Sequence, residues 1–288
     1  MIPPAFDYIR AGSVDEAVEA LAQHGDEARV IAGGQSLLPL LRLRLSFPSV
    51  LVDLGRVDEL QGVREEGDEL VVGAMTTYAE VAASDLVRSR CGLLATAAAT
   101  VGDPAVRHRG TLGGSLAHAD PAGDLPAVAV ALDATLVAAG PSGRRSIPAR
   151  EFFVDYFASA LAPDEVLAEV RVPALGEGWG YHYEKFHRTA QAWAIVGVAA
   201  AVRRVDGQIA EARIGLANMG STPIRGAATE EALAGVAVSD SNALNSAADQ
   251  AAVGTSPPSD MHGAGDYRRH LAGVLTRRAV AAAAGPAA

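Results

Sequence analysis

The spacing of hydrophobic residues predicts short strands mixed with helices along the chain. Helical periodicity runs over residues 13–24, and Ser13 and Glu16 have the spacing of a capping box at its start. A short apolar strand is predicted at 29–32, directly before the turn GGQS, and another is predicted at 50–54. The first part of the chain therefore predicts a small α/β unit with a glycine turn at its centre.

The central part continues this mixture and then loses its pattern. Thr77 and Glu80 form a second possible capping box, which opens a helix predicted to reach about Arg88. Residues 101–126 show little periodicity, so we predict a long loop there, and such a loop is usually functional or disordered. Other elements predicted in this part are a helix at 91–100 and strands at 69–74, 135–139 and 166–172.

The last third opens with strands and closes with helices. GEGWG, after Pro173, indicates a domain boundary. The predicted strands are 181–186, 195–203 and 210–217, and the predicted helices are 227–234, 241–252 and 266–283. Because strands and helices do not alternate as they do in a doubly wound sheet, the sequence predicts the α+β class.

Composition and charge exclude several kinds of function. The 288 residues carry a formal net charge of −10 with no stripe of arginines, which argues against a nucleic-acid or anionic-membrane partner. No apolar stretch is long enough to span a bilayer, and no signal peptide is recognised, so a reducing cytosol is expected. The single cysteine, Cys91, excludes a disulfide framework and a cysteine-ligated iron–sulfur cluster within the chain, and the histidines form no zinc pattern.

The first glycine loop is AGGQS, residues 32–36, directly after a predicted strand. Adjacent glycines allow positive φ angles and expose consecutive N–H groups, and Ser36 can cap the following helix. Backbone donors at a helix N-terminus are suited to a phosphate oxygen. A tight strand-to-helix connection without a ligand would look the same, so this loop alone does not decide between the two interpretations.

The second loop is RGTLGGSLAHADPAGD, residues 109–124, and it repeats the same features before adding Asp120 and Asp124. Two donor-rich loops suit a diphosphate better than a single phosphate. The aspartates would repel phosphate, so we expect them to bind hydroxyl groups or to cap helices. A flexible surface loop is the alternative. The chain has no P-loop, no G-x-G-x-x-G fingerprint and no G-x-S-x-G elbow.

AGGQSLLPLL and RGTLGGSLAHADPAGD closely resemble the paired FAD signatures of the medium subunit of molybdenum hydroxylases, the family of aerobic carbon monoxide dehydrogenase and xanthine dehydrogenase. The resemblance continues in order through FDYIRAGSVDEAVEAL, GAMTT, YEKFHRTAQAWAIVGVAAA and DMHGAGDYRRHLAGVLTRRAV. It implies two FAD-binding subdomains of the vanillyl-alcohol-oxidase (PCMH) type, at 1–57 and 58–176, followed by a C-terminal α/β domain at 177–288.

The resemblance also implies the FAD contacts. They are Ala32, Gly33, Gly34, Gln35, Ser36 and Leu37 in the first loop, Thr111, Leu112, Gly113, Gly114 and Ser115 in the second, and Asp120, Asp124, Leu167, Lys185 and Trp193 elsewhere. The two loops would wrap the diphosphate, Asp124 would lie near the polar chain of the flavin, and Leu167 would pack near the ring system.

Lys185, the only lysine in the chain, matches a lysine that lies beside the flavin in this family, where a cation would stabilise negative charge on the reduced ring. A solvated strand lysine is the alternative. Trp193 lies where relatives often cover the ring with an aromatic side chain, but it is equally well explained as a core residue. Two positions depart from the family: Ala192 replaces an aspartate that is common there, and Asp103 replaces a histidine.

The implied function is a division of labour among subunits. A large subunit with the molybdopterin cofactor would oxidise the substrate, and a small subunit with two [2Fe–2S] clusters would deliver electrons to the FAD of this chain. The expected assembly is a dimer of heterotrimers. Two rival hypotheses are a stand-alone flavoprotein of the same fold, for which no acid or base is evident, and a scaffold module that has lost FAD.

The substrate and the terminal acceptor are not specified by this chain, because the substrate pocket would belong to another subunit. Relatives that oxidise carbon monoxide often have AGGHS in the first loop, whereas this chain has Gln35. This difference favours an N-heterocycle, an aldehyde or another organic substrate. A quinone, NAD, oxygen or another carrier would serve as acceptor.

Overall fold

Three β-sheets follow one another along the chain in the computed structural model, which describes residues 2–285. The first sheet is parallel, with β3 (Val50–Asp53) between β1 (Asp7–Arg10) and β2 (Ala28–Ile31). Helices α1 (Val14–His24) and α2 (Leu37–Leu43) connect these strands. Because the strands are parallel, their carboxyl ends meet at one edge, and the turn GGQS after β2 lies at that edge.

The second sheet is antiparallel and has five strands in the order β4–β5–β10–β6–β7. The strands are β4 (Val63–Glu66), β5 (Glu69–Gly73), β6 (Thr135–Gly140), β7 (Gly143–Pro148) and β10 (Val166–Pro173), and a separate small hairpin is formed by β8 (Phe153–Asp155) and β9 (Ala158–Ser159). The helices of this part are α3 (Tyr78–Ala83), α4 (Asp85–Arg90), α5 (Gly92–Thr100), α6 (Pro104–Arg107), α7 (Leu112–His118), α8 (Asp124–Ala131) and α9 (Ala149–Phe152).

The third sheet is also antiparallel and keeps its strands in chain order. They are β11 (Trp179–Phe186), β12 (Val196–Val205), β13 (Gln208–Ala217) and β14 (Ile224–Arg225). The helices that follow are α10 (Ala227–Leu233), α11 (Ser241–Ala248) and α12 (Gly265–Ala284), and single 3₁₀ turns lie at Gly25–Glu27, Asp58–Leu60 and Asp249–Ala252.

The hydrophobic core continues from the second part into the third. Tyr183, Ala199 and Ala201 of the third sheet belong to the same buried cluster as the helices of the second part. Helix α8 lies directly on β13, since a Cβ built on Gly215 would lie 2.1 Å from the Ala127 carbonyl oxygen. Among residues 2–285, no helix is both long and apolar enough to cross a membrane.

The structure bears out the α+β class, and most predicted elements lie within a few residues of their expected positions. The capping box of Thr77 and Glu80 is complete. The helix that it opens ends at Ala83, not near Arg88, because Ser84 caps a new helix by accepting from the Val87 amide. At the first helix Ser13 accepts from the Glu16 amide, but the Glu16 carboxylate binds the Gly12 amide instead of completing a box.

The prediction of one long loop over 101–126 is wrong, because this segment contains α6, α7 and the start of α8. Asp103 caps α6 through the Val106 amide, and Thr111 caps α7 through the Gly114 amide. These caps satisfy the first amides of helices that are too short and too rich in glycine to show a helical pattern in the sequence.

Candidate functional site

The two glycine loops are in direct contact. A Cβ built on Gly33 would lie 2.1 Å from the Arg109 carbonyl oxygen and 2.7 Å from the Gly110 Cα, and a Cβ built on Gly114 would lie 3.4 Å from the Ala32 Cβ. The approach at Gly33 is possible only because glycine has no side chain. The structure therefore brings the predicted segments 32–36 and 111–115 together.

The first loop presents backbone donors that the rest of the chain does not use. Gly34 has a φ of +73°, which turns the chain between β2 and α2. Across the part of the chain that the structure describes, the amides of residues 33–37 have no hydrogen-bond partner. The expectation that Ser36 caps α2 is wrong, because its side chain makes no capping hydrogen bond. These amides are therefore available to an anion at the start of α2.

The second loop differs from the first because the amides of residues 112–115 are already satisfied. They donate to protein acceptors as follows: Leu112 to the Thr76 carbonyl, Gly113 to the Ala74 carbonyl, Gly114 to Thr111 Oγ1 and Ser115 to the Thr111 carbonyl, at 3.0, 2.8, 3.1 and 3.1 Å. Gly113 also packs closely against Ala74, since a Cβ there would lie 2.4 Å from the Ala74 Cβ. This loop therefore contributes shape and hydroxyl groups more than free N–H groups.

A crevice of about 360 Å³ opens beside the contact between the loops, at the carboxyl edge of the first sheet. Its charged and titratable lining residues are Arg10, Asp53, Arg56, Glu80, His108 and Arg109. Three arginines against two carboxylates leave a positive excess next to the amides of the first loop. Such a surface favours an anionic ligand.

Asp124 and Lys185 form a buried ion pair. The Lys185 Nζ donates to Asp124 Oδ2 at 2.8 Å, and their side chains are 6% and 5% exposed. The Tyr183 hydroxyl donates to Asp124 Oδ1 at 2.7 Å. Burial, together with the Asp124 charge, raises the pKa of Tyr183 well above 10, so the phenol stays protonated. The interpretation of Lys185 as a solvated lysine is therefore wrong.

Tyr78 connects the second loop to this ion pair. Its ring packs against Gly110, where a Cβ would lie 2.6 Å from Tyr78 Cε2. Burial raises the pKa of Tyr78 to about 12, and the Asp124 charge raises it as well. Neither tyrosine was predicted from the sequence. Tyr183 was detectable, because residues two apart on a strand share a face with each other, but nothing in the sequence indicated Tyr78.

Leu167, Asp120 and Trp193 have different surroundings. Leu167 lies on β10 and is buried in the central core. Asp120 accepts from the Ala122 amide at 2.9 Å, and burial raises the pKa of its carboxyl. Trp193 is 54% exposed, so the interpretation of Trp193 as a core residue is wrong. In residues 2–285 no hydrogen bond or ion pair joins Leu167 or Trp193 to either glycine loop.

The two positions that depart from the family pattern lie where segments 101–108 and 187–193 meet. The Gln191 side chain donates to Asp103 Oδ2. A Cβ built on Gly102 would lie 1.8 Å from the Ala190 carbonyl oxygen, so the two segments touch. The hydrogen bond from Gln191, followed by that from the Val106 amide, lowers the pKa of the Asp103 carboxyl.

Comparisons with known proteins cover nearly the whole chain. Residues 4–175 match the family model described as the FAD binding domain in molybdopterin dehydrogenase, and residues 181–283 match the CO dehydrogenase flavoprotein C-terminal domain. The chain is 42% identical over 283 residues to the carbon monoxide dehydrogenase medium chain of Hydrogenophaga pseudoflava, covering 98% of both chains.

Two further similarities support the match. The chain is 41% identical over 284 residues to the 6-hydroxypseudooxynicotine dehydrogenase complex subunit alpha of Paenarthrobacter nicotinovorans, covering 98% of this chain and 96% of that one. It superposes with a TM-score of 0.95 and 44% identity on a chain of the carbon monoxide dehydrogenase structure from Hydrogenophaga pseudoflava that lacks the Mo-pyranopterin moiety, covering 98% of both. The chain therefore belongs to the family of FAD-binding medium subunits of molybdopterin dehydrogenases.

Proposed function

We propose that this chain holds FAD within a molybdenum hydroxylase complex, receives electrons from [2Fe–2S] clusters of a partner subunit and passes them to a terminal acceptor. The observation that carries the proposal is the contact of the two glycine loops beside the unpartnered amides of residues 33–37. Oriented N–H groups next to a positively charged crevice suit a diphosphate. A scaffold that had lost its cofactor would have no need of such donors.

The residues present fit FAD. Because Gly33 has no side chain, nothing at that position covers the backbone amides of residues 33–37. Gly114 allows the second loop to lie against Ala32. The residues proposed to hold FAD are Ala32, Gly33, Gly34, Gln35, Ser36, Leu37, Thr111, Leu112, Gly113, Gly114, Ser115, Asp120, Asp124, Leu167, Lys185 and Trp193. FAD bound here would accept electrons one at a time and release them in pairs.

Lys185 has a defined part in this proposal. The Asp124 carboxylate holds the ammonium through a contact of 2.8 Å, and the Tyr183 hydroxyl fixes that carboxylate by donating to it at 2.7 Å. The ammonium carries three N–H groups, and within residues 2–285 only Asp124 accepts from it, so two remain for a ligand. A cation held in place without access to bulk water would stabilise negative charge on a reduced ring more strongly than a solvated one.

The proposal includes partners, because the single cysteine of this chain cannot ligate iron–sulfur clusters. A large subunit would hold the molybdopterin cofactor, a small subunit would hold two [2Fe–2S] clusters, and the complex would be a cytosolic dimer of heterotrimers. The names of the relatives, a medium chain and a complex subunit, support a multi-subunit assembly. The proposed division at 57/58 and 176/177 is supported by the limits of the three sheets and by the two matched segments.

The test is purification of the chain together with the products of its neighbouring genes. We expect about one FAD per copy of this chain, together with molybdenum and iron in the complex. Absence of stoichiometric flavin absorbance from an intact complex would refute the proposal. Substrate oxidation by the chain purified alone would favour the stand-alone flavoprotein instead. Oxidation assays with carbon monoxide, an N-heterocycle and an aldehyde, each with a quinone dye, NAD or oxygen, would identify the substrate and acceptor.

A further inference from the structure

The side chain of Trp193 is only partly packed against the protein. It is 54% exposed and lies at the end of the short segment 187–193, between β11 and β12. The backbone directly after it is buried, with Ala194 2% and Ile195 6% exposed. Whatever anchors these two residues therefore holds the backbone from which the indole projects.

Asn218 anchors Ala194. It directly follows β13 and is 9% exposed, and its Nδ2 donates to the Ala194 carbonyl at 2.8 Å. Its own amide donates to the Pro121 carbonyl at 2.7 Å. One buried residue thus joins the neighbour of Trp193 to the turn that leads into Asp124.

The backbone at Asn218 is suited to this double contact. Its φ is +62°, in the left-handed region, which asparagine adopts more readily than most residues. Around it the packing leaves little freedom, because Ala127, Ala194 and Ala217 form a small buried cluster of their own. Ala127 lies on α8, the helix that begins at Asp124, so the contact reaches the Asp124–Lys185 pair through one rigid element.

Arg268 anchors Ile195. Its side chain is 1% exposed, and its guanidinium donates to the Ile195 carbonyl and to both oxygens of Asp260, the latter at 2.7 and 2.8 Å. Arg268 tethers Ile195 only to the third part of the chain. Gln191 joins the segment before Trp193 to Asp103, and Asn218 joins the backbone directly after Trp193 to the turn that precedes Asp124.

We propose that Asn218 is a positioning residue that fixes Trp193 relative to the Asp124–Lys185 pair. The inference rests on the proposed flavin site, where Trp193 would cover the ring. Without the side-chain amide of Asn218, the buried Ala194 carbonyl loses its donor. The segment must then shift or admit water to satisfy this carbonyl.

The experiment uses the complete complex carrying Asn218→Gly. This variant keeps the left-handed backbone and the hydrogen bond from the backbone amide to the Pro121 carbonyl, but it removes the side-chain donor. The matched control is Asp206→Gly, an exposed position with a φ of +49° in the turn before β13. With Trp179→Phe in the background, Trp193 is the only tryptophan of this chain. Because the partner subunits contain tryptophan of their own, 5-fluorotryptophan is incorporated into this chain alone before reconstitution, and its fluorine resonance reports on Trp193.

We expect Asn218→Gly to shift and broaden the Trp193 resonance and to weaken FAD binding at least about threefold, whereas Asp206→Gly changes neither. The loss of affinity should fall below about twofold when Trp193→Ala is also present, because the two residues act through one contact. Asn218→Asp, which keeps the size of the residue but lacks the donor, should act in the same direction.

Two results would overturn the inference. One is an unchanged resonance in either folded Asn218 variant. The other is an equal loss of FAD affinity with and without Trp193, which would give Asn218 a general structural role. If the unmodified complex binds no FAD, the proposed function fails, and the resonance of Trp193 still decides whether Asn218 positions it.

Discussion

Replacing Gly33 by alanine would test the contact between the loops most directly. The added Cβ would lie 2.1 Å from the Arg109 carbonyl oxygen and 2.7 Å from the Gly110 Cα, while Cβ contacts below 3.0 Å essentially do not occur. The loops must therefore separate by about 1 Å, and both obstacles are backbone atoms that no rotamer change can move. Overpacking of this kind costs about 1–3 kcal/mol, and we expect the upper end of that range here.

The same displacement should weaken FAD binding, because the amides of residues 33–37 move with Gly33. A hydrogen bond to a charged group contributes about 1.5–3 kcal/mol, so the loss of one gives at least a tenfold higher Kd. Urea unfolding of the flavin-free chain would measure the stability, and fluorescence titration with FAD would measure the affinity. Gly176→Ala is the control, since a Cβ there meets nothing within 4 Å.

The stability and affinity measurements distinguish contact between the loops from binding of the diphosphate. A Gly33→Ala chain as stable as the Gly176→Ala control would show that the loops are not in tight contact. A chain that loses stability but binds FAD with unchanged affinity would show that the loops touch and yet do not hold the diphosphate. Only a loss of both stability and FAD affinity supports the proposed site.

Three further substitutions test individual contacts by urea unfolding. Lys185→Met leaves the Asp124 carboxylate buried without its cation and should lower the free energy of unfolding by about 3–5 kcal/mol. Adding Asp124→Asn to the same chain should restore part of this loss. A loss below about 1 kcal/mol, which is typical of exposed ion pairs, would contradict a buried pair. Burial raises the pKa of Asp120, so its ionisation disfavours the folded state. The stability that this group contributes is present below its unfolded pKa of 3.8 and is lost as the pH rises through the higher folded pKa. Asp120→Asn, which keeps the acceptor for Ala122, should therefore be more stable than the unmodified chain at pH 7 but not at pH 4, and an equal difference at both would contradict this. Thr77→Ala removes the capping box and should cost about 0.5–2 kcal/mol, whereas Thr77→Ser should change little.

Elements with a regular pattern of apolar residues were predictable from the sequence. The strands of the third sheet alternate or run continuously apolar, and β12 and β13 lie within a few residues of their predicted bounds. The box of Thr77 and Glu80 was predictable because capping depends on two residues three positions apart. Local chemistry of this kind does not depend on the rest of the fold.

Features that depend on distant partners were not predictable. Helix α7 has two glycines in its first turn, and it forms because Thr111 caps it and because Ala74 and Thr76 accept its first amides. The burial of Lys185 depends in the same way on Asp124, which lies 61 residues earlier. In each case the decisive group lies on another element, so no periodicity in the segment itself reports it.

The two glycine loops look equivalent in the sequence, but their hydrogen bonds give them different tasks. In the second loop the amides of residues 112–115 are used within the protein, which makes this loop a rigid surface against which the first can pack. In the first loop the amides of residues 33–37 lack partners across the described chain, so an anion would find its donors there. Substitutions in the first loop that leave its contact with the second loop intact should therefore lower FAD affinity more than chain stability. Those in the second, beginning with Gly113 against Ala74, should lower stability first and affinity only as a consequence.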